Sequence, residues 1–500
     1  MKYQTKYEEL IRKCAVSADL SGALALMGWD QETNMPKGAS ERRASQMATL
    51  AATIHEYNLK EIYPLVKDLA SVWDELESVA RLNVLELKRE LDKAQKLPTE
   101  FVSLMTKTSS ETQFAWEKAY KANNYAEFAP YLEKMFVLKK QEADYYGYTT
   151  SPYDALLDSY EQGLTSSMVT TVFEQMKPEL KQIIEKVQQS EPISTDFLHQ
   201  KIDKEKQWQF TMKVLEDMGF DFSRGRQDIS THPFTTSFSM EDVRVTTRVD
   251  EFDLSNALYS SIHEGGHALY EQGLLTTNYG LPSGQACSLA VHESQSRIWE
   301  NNIGRSLPFI EYYFIDLQQL FPDNLKGKDP LQVFEAFNVV KPSFIRTSAD
   351  EVTYHFHILT RFEVEREIME NRLKVKDLSE FWNAKMKEYL NLDVKEDNQG
   401  ALQDVHWSMG AIGYFPTYSL GSFYAAQFFA KANQSIPDLN NQIKAGQFLH
   451  FKKWLNESIH VHGKLYPSEV LCQLVTGEQL NVNYFLSYIK EKLSVVYGWT

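Results

Sequence analysis

The sequence predicts a mostly α-helical fold with a small β-sheet beside its central motif. Helical periodicity dominates residues 1 to about 225, and it resumes near residue 253 and continues to the C-terminus. Between these two stretches, residues 230–249 are rich in Thr, Val and Phe, which favour strands. The sheet is therefore expected to be small, within a framework made mainly of helices.

The helical stretches are predicted from apolar residues that recur on one face. Segments such as ESVARLNVLELKRELDKAQK mix Leu with Glu, Lys and Arg, a composition typical of an exposed amphipathic helix. Two predicted apolar faces are Leu10, Ile11, Cys14 and Ala15 in the first helix and Val79, Leu82, Leu85 and Leu87 further along. Their expected role is that of a scaffold.

The central strands are predicted as a β-hairpin. Residues 234–239 and 242–249 form its two strands, joined by a short turn around Met240–Glu241. Asp253 then fits the N-cap of the helix LSNALYSSIHEGGHALYEQG. Breaks between the later helices are expected around Pro282, Pro308, Pro342 and Pro416.

The chain is long, yet its composition favours one unit. At 500 residues it exceeds a typical domain, and length alone would suggest about three domains. However, Pro and Gly number only 16 and 22, and no Ser/Gly-rich linker interrupts the sequence. We therefore predict a single unit over residues 1–500, built from one or two closely packed helical lobes.

Charge and cysteine content exclude several classes of protein. A net charge of −16 disfavours a nucleic-acid binder, which needs basic patches to displace counterions from phosphate. Three widely spaced cysteines argue against a fold based on a disulfide framework. The N-terminal segment lacks an apolar signal region, and no apolar run approaches the roughly 18 residues of a membrane span. The expected protein is soluble and cytoplasmic.

The motif His263-Glu264-Gly265-Gly266-His267 indicates a metal site. Two histidines four residues apart lie on one face of a helix and can both reach one ion. Glu264 is offset towards the rim, where it can act as a general base. Two glycines in a helix are unfavourable, so close approach of another element or of a substrate is expected there. The alternative is a surface helix with incidental histidines.

The third ligand must come from another segment. The metzincin extension is absent, because Tyr270 and Gly273 occupy the places where Gly and His would stand. About 25 residues downstream, the helical segment LAVHESQSRIWENN offers His292 and Glu293. Adjacent helical residues point about 100° apart, so one of them faces the metal. Glu293 is preferred, since two His and one Glu leave an open position, as in hydrolytic zinc sites.

Taken together, the motifs resemble those of the carboxypeptidase Taq family of metallocarboxypeptidases. The resemblance spans nearly the whole chain. In order, the matching segments are Trp29–Pro36, His232–Phe234, Asp242–Thr246, the HEGGH and HESQ segments, Ile345–Asp350 and Gly400–Trp407. They fit the family's opening motif, H-P-F, D-x-R-x-T, the metal motifs, I-R-x-x-A-D and G-x-x-Q-D-x-H-W.

The resemblance implies a catalytic unit that removes single amino acids from the C-terminus of peptides. It implies a helical fold with a deep central groove, akin to neurolysin and angiotensin-converting enzyme. It also implies one divalent metal per chain, with zinc expected and cobalt as the alternative, and a homodimer. Peptides with a free C-terminus are the expected partners.

Recognition of a free carboxylate suits arginine, whose planar group pairs with both oxygens. Arg244 on the hairpin and Arg346 in the I-R-x-x-A-D segment are the candidates, with Arg248 as a weaker third. The alternative for each is a structural salt bridge, and for Arg346 the carboxylate of Asp350 lies four residues away. The resemblance also places His232 among the substrate-binding residues.

Catalysis is assigned to Glu264 as general base, which takes a proton from the attacking water and delivers it to the leaving amine. The oxyanion of the tetrahedral intermediate needs hydrogen-bond donors in addition to the metal. The resemblance points to His406 and Tyr418 for this role, with Tyr414 as a rival and core packing as the alternative for Tyr418. Asp404 is a candidate to orient His406.

Two other functions compete with the metallocarboxypeptidase. A metallo-oligopeptidase that cuts inside short peptides would use the same H-E-x-x-H motif with a distant Glu. A non-catalytic helical scaffold with a vestigial site is the third possibility, and the complete set of candidate ligands argues against it.

Overall fold

The structure of the protein is a computed structural model that describes residues 2–499. Within these residues the chain is mostly helical, with a small three-stranded sheet, which confirms the predicted class. The predicted groove and the likeness to neurolysin remain predictions. None of the described helices combines the length and the apolar character needed to cross a membrane.

The α-helices account for most of the described chain. Their bounds are α1 Lys2–Thr33, α2 Ser40–Tyr57, α3 Tyr63–Ala70, α4 Ser78–Lys96, α5 Thr99–Ala122, α6 Tyr125–Tyr146, α7 Pro152–Leu157, α8 Ser166–Gln188, α9 Lys204–Met218, α10 Leu254–Gly273, α11 Leu289–Arg297, α12 Leu307–Leu320, α13 Pro330–Phe337, α14 Tyr354–Met369, α15 Leu378–Leu390, α16 Pro416–Ser435, α17 Leu439–Lys444, α18 Phe448–Ser458, α19 Ser468–Thr476 and α20 Asn483–Val496.

Shorter helical turns connect many of these helices. Among the described residues, two segments are π-helical, Asn58–Ile62 and Ile298–Gly304. The 3₁₀ turns are Lys37–Ala39, Trp73–Glu75, Asp196–Leu198, Phe222–Arg224, Thr276–Asn278, Pro282–Gly284, Arg346–Ser348, Val375–Asp377, Asp397–Gln399, His406–Met409 and His460–His462. Helix breaks fall where the four prolines predicted them. Pro282 starts a 3₁₀ turn, and Pro342 lies between α13 and the turn at Arg346. Pro308 and Pro416 lie in the first turns of α12 and α16.

The sheet consists of β1 Gly225–Ile229, β2 Thr235–Ser239 and β3 Asp242–Thr247. Strand β3 lies in the middle, antiparallel to β2 and parallel to β1. The β2–β3 hairpin confirms the prediction, although it ends sooner than expected. Strand β1 was not predicted, because its sequence GRQDI lacks the alternation of apolar and polar residues that reveals a strand.

The chain forms two compact units. The first comprises Met1–Asp92, Ile193–Phe337 and Tyr424–Leu480, and it contains the sheet and helices α10 and α11. The second comprises Lys93–Pro192, Asn338–Phe423 and Asn481–Thr500, and it contains α14 and the 3₁₀ turn at His406.

Helices α1, α3 and α4 share an apolar core in the first unit. Leu10 and Cys14 are buried there, as their spacing predicts. In α4 the predicted face is only partly correct: Leu87 is buried in the core, but Val79 and Leu85 are 46% and 40% exposed, and Val84 and Leu91 are buried in their place. A helix mixed in this way has two possible apolar stripes, and its neighbours decide which one is buried.

Candidate metal centre

Helix α10 presents two imidazoles on one face. The helix begins at the predicted N-cap, because Asp253 Oδ1 accepts a 2.9 Å hydrogen bond from the backbone N–H of Ser255. One turn separates His263 from His267, and their ring centroids lie 4.9 Å apart. Both Nε2 atoms therefore point towards the same space.

Helix α11 brings the carboxylate of Glu293 to these imidazoles. Its Oε2 atom lies 3.7 Å from His263 Nε2 and 3.6 Å from His267 Nε2. The three ligand atoms all fall within 4.8 Å of one another. Ligands at about 2.0–2.2 Å around a tetrahedral ion stand roughly 3.4 Å apart. The donor types and their spacing thus fit one divalent cation.

The two glycines of the motif let other elements approach α10. A Cβ at Gly266 would lie 2.6 Å from the backbone oxygen of Gln295 and 2.7 Å from Ser296 Cα, both on α11. A Cβ at Gly265 would instead meet Leu215 Cδ2 at 2.4 Å, the end of a flexible side chain on α9. Gly266 is therefore the residue that allows α11 to place Glu293 beside the histidines.

These contacts predict that Gly266→Ala is far more harmful than Gly265→Ala. Gly266→Ala must push α10 and α11 backbones apart, an overpacking cost of about 1–3 kcal/mol. In Gly265→Ala, the gain in helix propensity, about 1 kcal/mol, offsets the displacement of Leu215. The midpoint temperature of thermal unfolding and the affinity for the metal should fall clearly only in Gly266→Ala. Equal behaviour of the two variants would contradict this explanation.

A carboxylate behind His263 orients its ring. Glu300, in the π-helical segment after α11, accepts a hydrogen bond of 2.9 Å at Oε2 from His263 Nδ1. Arg297 and Arg305 also contact Glu300, at 3.1 and 3.3 Å. The Nδ1 proton leaves Nε2 with a lone pair directed at Glu293, as a metal ligand requires.

A longer chain of hydrogen bonds supports His267. Its Nδ1 lies 2.6 Å from His292 Nδ1, and His292 Nε2 lies 2.8 Å from Glu271 Oε1. The carboxylate accepts the proton of His292 Nε2, so His292 Nδ1 must be the acceptor from His267 Nδ1. His267 Nε2 is then unprotonated and free to bind a cation. His292 therefore supports the candidate ligand His267 and does not face the space between the three ligand atoms.

The local charges favour the ligand forms of two of these residues. Burial and the neighbouring His292 lower the pKa of His267 to about 3, so its imidazole is neutral. Burial opposes ionisation of Glu293, but Arg297 and the two imidazoles outweigh it and hold its pKa well below the usual range. For His263, burial lowers the pKa, yet Glu293 and Glu300 more than compensate and raise it. A cation must therefore compete with a proton there.

Glu264 is buried next to the ligands and is held by the sheet. Thr235 Oγ1, at the start of β2, donates to Glu264 Oε2 at 2.6 Å. Burial raises the pKa of Glu264 above its usual value, although His263 and Thr235 partly oppose this. A raised pKa strengthens the carboxylate as a base.

In the first unit, the other predicted residues lie on or near the sheet. Arg244 on β3 makes two 2.9 Å hydrogen bonds to Asp242, and its guanidinium stacks on Trp29 at 4.5 Å and on Phe238 at 4.8 Å. Trp29 belongs to the N-terminal motif, so two motifs of the resemblance meet here. His232 lies on the surface before β2.

In the second unit, Arg346 is buried and paired. It donates through Nε and Nη2 to Asp404 Oδ1, at 3.1 and 2.9 Å. Asp404 also contacts the fully buried Arg361. The partner suggested by the sequence, Asp350, instead accepts bonds from the backbone N–H groups of its own turn, including that of Thr353 at 2.9 Å.

His406 and Tyr418 lie close together in the same unit. Tyr418 Oη lies 3.5 Å from His406 Nε2, and the His406 ring packs on Tyr414 and Phe415 at 5.5 and 4.8 Å. Burial lowers the pKa of His406 to about 4, which keeps its imidazole neutral. Asp404 Oδ1 is 3.8 Å from His406 Nδ1, too far for a hydrogen bond.

Four residues of these networks were missed by sequence reasoning, namely Thr235, Glu271, Glu300 and Arg361. Two had a detectable signal: Glu300 follows Glu293 by seven residues and Glu271 follows His267 by four, so each shares a helix face with its ligand. Thr235 and Arg361 had none, because their partners are brought to them by distant segments.

Comparison with known proteins is consistent along the whole chain. Residues 9–493 match the family of carboxypeptidase Taq (M32) metallopeptidases. Thermostable carboxypeptidase 1 of Pyrococcus furiosus is 38% identical over 473 residues, 94% of this chain and 95% of that protein. Carboxypeptidase 1 of Bacillus subtilis is 36% identical over 497 residues, 99% of each.

The solved structures agree with this result. The M32 carboxypeptidase of Deinococcus radiodurans R1 superposes with a TM-score of 0.96 at 38% identity, covering 99% of this chain and 100% of that one. The resemblance found in the sequence motifs is thus confirmed by the family match and by both comparisons. This chain belongs to the carboxypeptidase Taq (M32) family, and it is a metallocarboxypeptidase.

Proposed function

We propose that this metallocarboxypeptidase binds one divalent cation through His263 Nε2, His267 Nε2 and Glu293 Oε2, with Glu264 as general base. The observation that carries the proposal is the grouping of these three ligand atoms within 4.8 Å. The donor set of two imidazoles and one carboxylate is that of hydrolytic zinc sites, so zinc is the proposed metal and cobalt the alternative.

A divalent ion held there supplies a Lewis acid for the scissile carbonyl and lowers the pKa of water. Glu264 accepts a proton from the attacking water as the water oxygen bonds to the carbonyl carbon. It then delivers that proton to the amine nitrogen as the C–N bond breaks. Thr235 keeps the carboxylate of Glu264 in place through its 2.6 Å hydrogen bond.

For the free carboxylate of the substrate, we propose Arg346 or Arg244. Each guanidinium gives Nε and Nη2 to an aspartate and makes no hydrogen bond through Nη1 within residues 2–499. A group already oriented by an aspartate loses less entropy when it binds a second carboxylate. His232 remains a proposed substrate contact on the strength of the family resemblance.

His406 and Tyr418 are the proposed donors to the oxyanion. The neutral imidazole and the phenol lie within 3.5 Å of each other, so both can serve one developing negative charge. We further propose that the protein acts on peptides with a free C-terminus, as a homodimer in the cytoplasm.

The proposed function predicts strict dependence on a free C-terminus and on metal. A peptide with a free carboxylate should lose single amino acids in succession, while its C-terminally amidated copy should be resistant. Chelation should abolish release, and added zinc or cobalt should restore it. Liquid chromatography with mass spectrometry identifies the products.

The same assay separates the alternatives. Internal fragments from both peptides would indicate an oligopeptidase, and absence of hydrolysis in the fully loaded protein would indicate a scaffold. Arg346→Met and Arg244→Met form a matched pair. The variant that loses the preference for the free over the amidated peptide identifies the carboxylate-binding arginine.

A further inference from the structure

A buried carboxylate on α14, that of Glu365, accepts three hydrogen bonds in the second unit. Its Oε1 accepts from Trp407 Nε1 at 2.7 Å. Its Oε2 accepts from Tyr153 Oη at 2.6 Å and from the backbone N–H of Gly413 at 2.8 Å. The side chain is fully buried. One carboxylate thus joins α14 to α7 and to two points of the segment that contains His406 and Tyr418.

That segment, residues 406–418, is irregular and needs such support. It starts with a 3₁₀ turn, then passes through Gly410 and Gly413 at φ values of +77° and +94°, and enters α16 at Pro416. Residues 410–415 therefore lie outside any helix and lack its repeated hydrogen bonds. Trp407 is adjacent to His406, and Gly413 lies five residues before Tyr418. Glu365 consequently fastens the segment beside both proposed oxyanion donors.

Burial makes the ionised form of Glu365 energetically unfavourable. Burial raises the pKa of Glu365 to about 7, against the opposing effect of the hydrogen bonds from Tyr153, Trp407 and Gly413. Arg361, one turn earlier on α14, is bound to Asp404. Only an ionised carboxyl offers two acceptor oxygens to three donors, whereas a glutamine would turn its amide NH₂ towards one of them. The geometry thus explains why an acid stands in this core.

We propose that Glu365 is a positioning residue, which holds segment 406–418 so that His406 and Tyr418 keep the separation their catalytic role requires. The inference rests on the proposed function of those two residues. Glu365 itself is enclosed by protein and acts only through the segment.

The first test is Glu365→Gln, compared with wild type for kcat, KM and metal content. We expect kcat to fall about 10- to 100-fold, as for a small misplacement of catalytic groups. Metal content should stay within about twofold, because the candidate metal ligands belong to the first unit. KM should also stay within about twofold, because donors to the oxyanion act in the transition state and not in substrate binding. A kcat within about twofold of wild type in the folded variant would overturn the inference.

A matched pair of milder variants covers the case in which Glu365→Gln fails to fold. Trp407→Phe and Tyr153→Phe each remove one donor to the same carboxylate. Only Trp407 belongs to segment 406–418. We expect Trp407→Phe to lower kcat about tenfold, and Tyr153→Phe to stay within about threefold. Equal losses of kcat would indicate a general effect on stability and would contradict a positioning role.

A mutant cycle then shows which residues Glu365 acts through. In a His406→Ala/Tyr418→Phe background, Glu365→Gln should lower kcat by less than about threefold, because the groups it positions are gone. An undiminished effect would overturn the inference while leaving the proposed function intact. Wild-type kcat in the background variant itself would refute both the roles of His406 and Tyr418 and the role of Glu365, with the metal chemistry unaffected.

Discussion

Glu264→Gln is expected to lower kcat by about 10²–10⁴-fold with metal content unchanged, because the general base is lost and the ligands stay. Glutamine keeps an oxygen that can accept the Thr235 hydroxyl, so the local structure should persist. Steady-state hydrolysis of a blocked dipeptide and elemental analysis of the same preparation test both statements. Glu216→Gln, an exposed glutamate on α9, is the matched control and should retain full activity.

Two results would contradict this assignment. Turnover in Glu264→Gln within about threefold of wild type would show that another group accepts the proton. Loss of the metal from this variant would instead make Glu264 a ligand. The hydrogen bond from Thr235 already engages one oxygen of Glu264, which favours the role of base over that of ligand.

Glu293→Gln should weaken metal binding far more than Glu300→Gln. Glu293 is a proposed ligand, and its amide replacement loses the charge that faces both imidazoles. Glu300 only orients His263, and removal of such a support typically costs about 10–100-fold in metal affinity. Competition with a chromogenic chelator measures both affinities, and hydrolysis at saturating metal measures the remaining activity.

The comparison also decides between the two carboxylates. The two glutamates lie seven residues apart, about two turns, in the same helical region, and both contact Arg297, so their local environments are closely matched. Equal metal affinities for the two variants would refute Glu293 as a ligand. A larger loss in Glu300→Gln would assign the direct contact to Glu300.

Much of the site was predictable because its spacing is local. His263, Glu264 and His267 are within one turn and a half of helix, so the helix alone brings them together. Glu293 was predicted from its segment and the donor chemistry, and its carboxylate lies within 3.7 Å of both imidazoles. The β2–β3 hairpin was predictable for the same reason, since two short strands and their turn form one continuous pattern.

Residues whose partners are distant in the chain were not predictable. For Arg346, the alternative to substrate binding was a salt bridge to Asp350, four residues away, but Arg346 pairs with Asp404, 58 positions later. The sequence of strand β1 shows no alternation of apolar and polar residues, because only one of its residues is buried. The strand forms because it pairs with β3. Likewise, the hydrogen bonds of Glu365 come from residues 42 to 212 positions away.

The sequence by itself therefore determined the helical class, the hairpin and the motif of the candidate metal site, because each depends on the regular geometry of a single segment. Tertiary structure alone decided which face of α4 is buried and that Thr235 holds the carboxylate of Glu264. It also decided the partners of the buried arginines. These depend on how separate segments pack, and packing brings together side chains whose separation in sequence carries no periodic signal.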